Sequence, residues 1–392
     1  MRSVVEPRKP LAGVRVLELG ALVAAPYCGM LLADLGADVI KVEPPEGDMA
    51  REFPPFENGE STFFLAVNRG KRSVSVDLRT EQSREQVRAL ALSSDVVLHN
   101  YRTGVAERLG LGYEDLASEN PALVYCSISG FGPTGPMAQR PGIDLLFQAE
   151  SGMMAITGER GGKPVKVGTN AADVYAATVA SSCILAALVE RSSTGRGARI
   201  DVPLRDAFLA LQACWFTGFL ATGEQPERLG AGSPFTAPTD VYPTRDDVIV
   251  LAVVNQKHWR ILCTTLGAPE WIEDARFKDN AGRVRHASVL ASLVSDALAV
   301  RTTDEWIGVF EEAGIPAGRV LDYNAVAGDE QISHNEMILN FIHPTAGPIR
   351  TQGIPFWIDG RKPAQPSAPP VLGAHTDETL RSLVAGRSPW VR

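Results

Sequence analysis

Short apolar runs alternate with amphipathic stretches over the first hundred residues, and this alternation constrains the fold more than any other feature. Residues 14–19 (VRVLEL) read as an apolar strand and 39–42 (VIKV) as the next. Between them, 26–36 reads as a helix with Met30, Leu31 and Leu35 on one face. Pro26 falls in its first turn, where a missing N–H breaks no bond. Strand, helix and strand in this order make a βαβ unit, which implies parallel strands and a right-handed crossover. The pattern continues with strands at 73–78, 96–99, 123–128 and 199–202 and helices at 81–93 and 204–222. In 73–78, Val74, Val76 and Leu78 alternate on one side. The expected class is α/β, with a Rossmann-like parallel sheet.

After Thr222 the character changes. Residues 223–243 are rich in Gly, Pro, Ser and Thr and read as a linker or long ordered loop. A second, smaller α/β domain is expected over 244–330. It has a strand at 248–254, helices at 258–266, 286–299 and 303–313, and a short strand at 320–322. Thr302 or Thr303 is a natural cap for the last helix. Residues 331–392 hold strand-like pieces, many prolines and one terminal helix (HTDETLRSL), and are expected to return to the first domain, 1–222.

A net charge of -8 with no run of like charges gives no basic stripe for nucleic acid. The five cysteines are scattered and form no CxxC pair, so neither a zinc site nor a disulfide framework is expected, and a reducing cytoplasm fits best. The N-terminus lacks the apolar core of a signal peptide. The uncharged stretches 174–189 and 207–223 fall short of the roughly 20 apolar residues of a membrane span. Buried core helices are expected there.

Asp173 stands at the mouth of the first uncharged stretch, behind Gly161, Gly162 and Gly168. A carboxylate here lies near the positive end of a helix dipole. It is a helix cap, a nucleophile or a general base. The first βα turn, LGALVAAP, has Gly20 but not the G-x-G-x-x-G that dinucleotide binding requires, so NAD is not expected. Basic residues gather near the ends of the early strands: Lys41, Arg51, Arg69, Lys71, Arg72, Arg79, Arg102 and Arg108, with Asn100 and Tyr101 beside them. Singly they are solvated charges; together they suit an anionic, nucleotide-like ligand, with Tyr101 as an apolar wall. The six histidines fit no hydrolase triad, and no metal motif is present.

The segments PLAGVRVLELG, LLADLGADVIKVEPPEGD, NRGKRSVSVDL, SDVVLHNYRTGVAERLGLGYEDL, NPALVYCSISGFGPTGP, RPGIDLLFQAESGMMAITG, STGRGARIDVPLRDA and LGAHTDETL carry a resemblance over most of the chain. Together with the surroundings of Asp173, they resemble the family III CoA-transferases, the group of formyl-CoA transferase and carnitine CoA-transferase, whose superfamily includes α-methylacyl-CoA racemase. The resemblance implies a large domain completed by the C-terminal segment, an inserted smaller domain, and two subunits threaded as interlocked rings. It puts the catalytic aspartate on Asp173. Coenzyme A contacts fall on Val23 and Ala24, on Val76 to Arg79, and on Asn100, Tyr101, Arg102 and Arg108, with Arg140 near a further one. Val23 stands where formyl-CoA transferase has glutamine and Ser129 where it has lysine, and the oxalate-directed glycine loop of that enzyme is not visible. These departures point away from formate and oxalate.

The resemblance implies acyl-CoA and small carboxylic acids as substrates, a homodimer, and no permanently bound cofactor. Succinate, malate or a methylated C5 acid is the expected kind of acid, with residues 230–238 in the acceptor pocket. A racemase on this fold pairs its aspartate with a histidine in a G-H-D triplet. The matching triplet here is Gly142-Ile143-Asp144, and isoleucine cannot carry a proton. Transfer is therefore expected over racemisation.

Overall fold

The computed structural model describes residues 8–390. Six strands form one all-parallel sheet: β1 (Arg15–Glu18), β2 (Asp38–Glu43), β3 (Lys71–Ser75), β4 (Val96–His99), β5 (Val124–Ser129) and β6 (Arg199–Pro203). Their order is β3-β2-β1-β4-β5-β6. The order reverses between β1 and β4. At such a switch point the loops leaving the two strands diverge and open a crevice.

Both faces of the sheet are covered, which is why at most one residue of each of β1, β2, β4 and β5 is not buried. On one face Val16, Val39, Val96, Leu98 and Val124 pack with helices α1 (Ala24–Asp34) and, later in the chain, Ala171–Thr194. On the other, Leu17, Ile40, Val97 and Tyr125 pack with Val87 and Leu90 of α2 (Glu81–Leu92). Each fully buried Leu, Ile or Val contributes about 1.5–3 kcal/mol.

Two further helices matter to the site, α3 (Asp144–Glu150) and α4 (Ala171–Thr194). By length and composition α4 could cross a membrane. It is longer than its uncharged stretch because Glu190 and Arg191 continue the helix. Its buried seam is small: Ala172, Ala176, Ala177 and Ala180 are fully buried with Ile184, so α1 and the sheet lie close against it. The expected helix at 204–222 is two, α5 (Leu204–Ala210) and α6 (Ala213–Thr222). Gln212 at the break is buried and donates to the carbonyls of Ser151 and Phe208.

Other elements also differ from their expected bounds. Helix α1 starts two residues before the expected 26, leaving Pro26 within the first turn. Strand β3 ends at Ser75, short of the alternating Val76 and Leu78, because the chain turns at Asp77: its carbonyl accepts from Thr80 N and its side chain from Arg79 N. The open edge of β3 is closed by the C-terminal segment. Gly373 N donates to Ser73 Oγ, His375 N to Ser73 O, and Ser75 N to Thr376 Oγ1.

The chain divides into two compact units. The sheet, Lys166–Thr222 and the stretch from Glu330 onward form the first, so the return of the C-terminal part lies within it. The second takes Met154–Val165 and Gly223–Asp329. It holds an antiparallel sheet of β7 (Thr239–Pro243), β8 (Val248–Ala252) and β9 (Ala317–Gly318). Thus the segment read as a linker ends in a strand, and the short strand expected at 320–322 is at 317–318. Asp322 instead caps the helix that follows. Trp259, Phe277, Leu290, Val294, Leu298 and Phe310 make this unit's core. Its helix Thr303–Ala313 opens on a capping box, Thr302 with Glu305.

Candidate active site

Asp173 is the third residue of α4 and lies partly buried. The helix is capped from elsewhere. Asn170, the residue before it, makes no side-chain cap bond. Asp144, at the start of α3, accepts the N–H groups of Ala172 and Asp173 through Oδ1 at 2.8 and 3.3 Å. Its Oδ2 accepts from Gln148 Nε2 at 2.6 Å. Gln148, itself fully buried, also donates to Thr169 O and accepts from Val167 N, tying down the strand of chain that enters α4. The capping role open to Asp173 is therefore filled by Asp144. Among the described residues no donor reaches the Asp173 carboxylate. Burial, and then the Asp144 charge, push its carboxyl up to about 7. Such a group is half ionised near neutrality and is a better nucleophile or base than an ordinary aspartate.

Gly168 stands exposed before α4, where a Cβ would meet nothing, so the approach to the helix mouth is open there. Gly161 and Gly162 belong to the second unit. Ile143 is 65% exposed and precedes α3, offering no titratable group.

At the switch point the structure gathers four of the expected contacts. Val23 and Ala24 start α1, whose first turn has no side-chain cap, leaving N–H groups for an anion. Both side chains are buried in the core, so only backbone is on offer. Asn100 follows β4 and clasps the opposite loop: its Oδ1 accepts from Ala21 N and its Nδ2 donates to Ala21 O. His99 is buried and held neutral, its ring pushed down to about 4 by burial and then by Arg199. Its Nδ1 accepts Tyr101 N, and the two rings lie 5.5 Å apart. Beyond them Arg102 and Arg108 are exposed, and neither guanidinium has a partner among the described residues. Val76 is buried after β3, while Arg79 reaches solvent and, among the described residues, pairs with Asp77 alone. Arg140 makes a two-pronged bond with Glu150 above the Phe131 ring.

Lys71 and Arg72 are not placed for a ligand. Lys71 is fully buried; its ammonium is used up by Glu18 Oε2, Pro26 O and Asn68 Oδ1 at 2.7–2.8 Å. Arg72 pairs with Asp38 and donates to Pro389 O. Lys41, Arg51 and Arg69 are likewise internal, bound to Glu18 and Asp48, to Glu43, and to Asp34. A cationic residue near a strand end reads the same in sequence whether it turns inward or outward; the acidic partners that decide it come from other strands, from helix α1 and from a loop.

Sequence reasoning missed the contacts that shape these loops. Lys41 donates to Gly20 O and Asp48 accepts Leu22 N, which fixes the left-handed turn at Leu22 (φ 64°) just before α1. Asp144 and Gln148 act on a helix that begins more than 20 residues later, and no local spacing marks a cap at that distance. Ser129, at the carboxyl end of β5, keeps a buried hydroxyl with no partner among the described residues.

Residues 11–376 match the profile of CoA-transferase family III. The chain is 36% identical to a succinyl-CoA:glutarate CoA-transferase of Mus musculus, over 98% of this chain and 88% of that one. It is 36% identical to a succinate–glutarate CoA-transferase of Agrobacterium fabrum, over 98% of each. The crystal structure of a CAIB/BAIF family protein from Brucella suis superposes with a TM-score of 0.85 at 35% identity, covering 96% of this chain and all of that one. The parallel sheet, the carboxylate at the mouth of α4 and these likenesses agree: the chain belongs to CoA-transferase family III.

Proposed function

We propose that this CoA-transferase moves coenzyme A from succinyl-CoA, or a similar short acyl-CoA, to a small dicarboxylic acid such as glutarate, with Asp173 as the acyl carrier. The donor and acceptor follow the likeness to the mouse and Agrobacterium enzymes. One observation carries the role of Asp173: Asp144 takes the capping N–H groups and no donor among the described residues reaches the Asp173 carboxylate, whose carboxyl is pushed up to about 7 by burial and then the Asp144 charge.

In this reading the ionised Asp173 oxygen attacks the thioester carbonyl. The C–S bond breaks, and a mixed anhydride and the CoA thiolate form. The thiolate then attacks the aspartyl carbonyl of the anhydride, which releases the first acid as its carboxylate and leaves an aspartyl-CoA thioester. The acceptor carboxylate attacks that thioester and forms a second anhydride, and the thiolate attacks its acyl carbonyl. The products are the new acyl-CoA and free Asp173. No other cofactor is needed, because the thioester's free energy is conserved at each step. Arg102, Arg108 and the first turn of α1 serve the anionic part of coenzyme A, and two chains work as an interlocked homodimer.

The test is a donor-by-acceptor panel read by mass spectrometry, with Asp173→Ala beside the wild type. Wild type forms glutaryl-CoA from succinyl-CoA and glutarate; the variant forms none yet still binds coenzyme A. Hydroxylamine with acyl-CoA converts Asp173 to its hydroxamate. Transfer retained by the variant would remove Asp173 from the reaction.

A further inference from the structure

The arrangement of two aspartates at the mouth of α4 carries a consequence for the reaction, one that rests on Asp173 being the acyl carrier. A carboxylate at the third position of a helix ordinarily gains from the nearby N–H groups and from the positive end of the dipole. Here Asp144 takes those N–H groups through Oδ1 and sits as a second anion at the same helix end. It is 7% exposed and fixed by Gln148 from the other side. Asp173 is left with neither donors nor dipole to itself.

We propose that Asp144 is a positioning residue that disfavours the Asp173 carboxylate relative to its neutral acylated forms, and so raises the share of enzyme held as anhydride and thioester. Acylation turns the Asp173 side chain from an anion into a neutral group. Protonation does the same. Whatever makes the anion unfavourable therefore favours both by the same factor. Burial disfavours the Asp173 anion as well, and among the nearby charges the effect belongs to Asp144. Charged residues on the other elements packed against α4 have partners or lie apart: Asp34 is bound to Arg69, Arg199 to Asp201, Arg205 to Asp206 and Glu150 to Arg140. Cys28 and Cys126 on those elements are held neutral by burial. Among the described charged groups Asp144 is the one that acts on Asp173, in addition to burial, which is the larger cause.

The test is Asp144→Asn. Its side-chain oxygen still accepts Ala172 N and Asp173 N, so the cap persists while the charge goes. The ascending limb of kcat/KM against pH is expected to move down by about one unit. The fraction of enzyme carrying covalent coenzyme A, by intact mass at pH 8, is expected to fall about ten-fold, one pKa unit being ten-fold in the equilibrium. KM for acyl-CoA changes less than kcat. An unmoved limb with an unchanged adduct fraction overturns the proposal. The new amide faces Gln148 Nε2 donor to donor, so the variant can be unstable. An independent measurement uses wild-type protein: the infrared carboxyl band lost in Asp173→Asn should titrate near pH 7. A midpoint near 4 overturns the proposal without any change at Asp144. Both outcomes are separate from the nucleophile assignment, which falls only if Asp173→Ala retains transfer.

Discussion

At the third position of α4, Asp173 holds a proton in the folded protein at pH values where an unfolded aspartate has lost it. The folded value of about 7 lies above the ordinary value of 3.8. Between those two the folded state binds the extra proton, so stability falls as pH rises through that window and the loss is complete above about 7. Asp173→Asn removes the titrating group. It should raise Tm by about 2–4 °C at pH 8 and leave it unchanged at pH 4, while abolishing transfer. Thermal unfolding at the two pH values checks this; an equal effect at both would mean that Asp173 ionises like an exposed carboxylate. The same titration sets activity: kcat/KM should climb tenfold per unit below about pH 7 and level off above it. Of all this the sequence showed the isolation of Asp173 but left cap and nucleophile open. What separates them is Asp144, which was read only as the residue after Ile143, because a cap delivered from another helix leaves no trace in spacing.

Elements were legible where the hydrophobic period was long and both faces were buried. Strands β1, β2, β4, β5 and β6 fall within a residue or so of their expected places; the first four are largely buried, whereas β6 (RIDVP) alternates charged and apolar residues. Strand β3 was displaced because Val76 and Leu78 keep the apolar alternation going into a turn that Asp77 imposes. The break between α5 and α6 was invisible, as Gln212 is buried by contacts with Ser151 and Phe208 that no local pattern announces. Basic residues were the least legible, because their partners are long-range. The two kinds can be told apart by substitution. Arg102→Ala and Arg108→Ala should each raise KM for acyl-CoA about five- to ten-fold, about 1–1.4 kcal/mol of a charge-assisted contact, with unfolding unchanged. Lys71→Met should instead leave Glu18 with one cation fewer in a fully buried site and cost about 3–5 kcal/mol of stability. Urea unfolding of the purified variants decides. A Lys71→Met protein of normal stability with a raised KM would return Lys71 to the ligand site.

On the scale of the whole molecule, the first unit presents apolar surface on α6 that the described residues leave exposed. No residue of α6 is buried, and Leu220 is 66% exposed on it, while Val189 near the end of α4 is 72% exposed. Exposed apolar residues along a helix of this kind suit a partner, and in the proposed homodimer that partner is a second copy of the same chain, threaded through the first. Ordinary and interlocked dimers predict different kinetics. Subunits that only pack together separate on dilution at a rate set by their interface. Threaded subunits cannot part until a chain unfolds, so their exchange is as slow as unfolding itself, commonly hours or longer. Two differently tagged preparations, mixed at micromolar concentration in native buffer, should yield no mixed dimer over a day. Mixed dimer should form once both are unfolded together in urea and refolded. Sedimentation should give twice the 42.1 kDa chain mass, with no monomer at nanomolar concentration. Rapid appearance of mixed dimer without denaturant would leave the dimer side by side rather than linked, and a monomer at every concentration would leave the face of α6 without its partner.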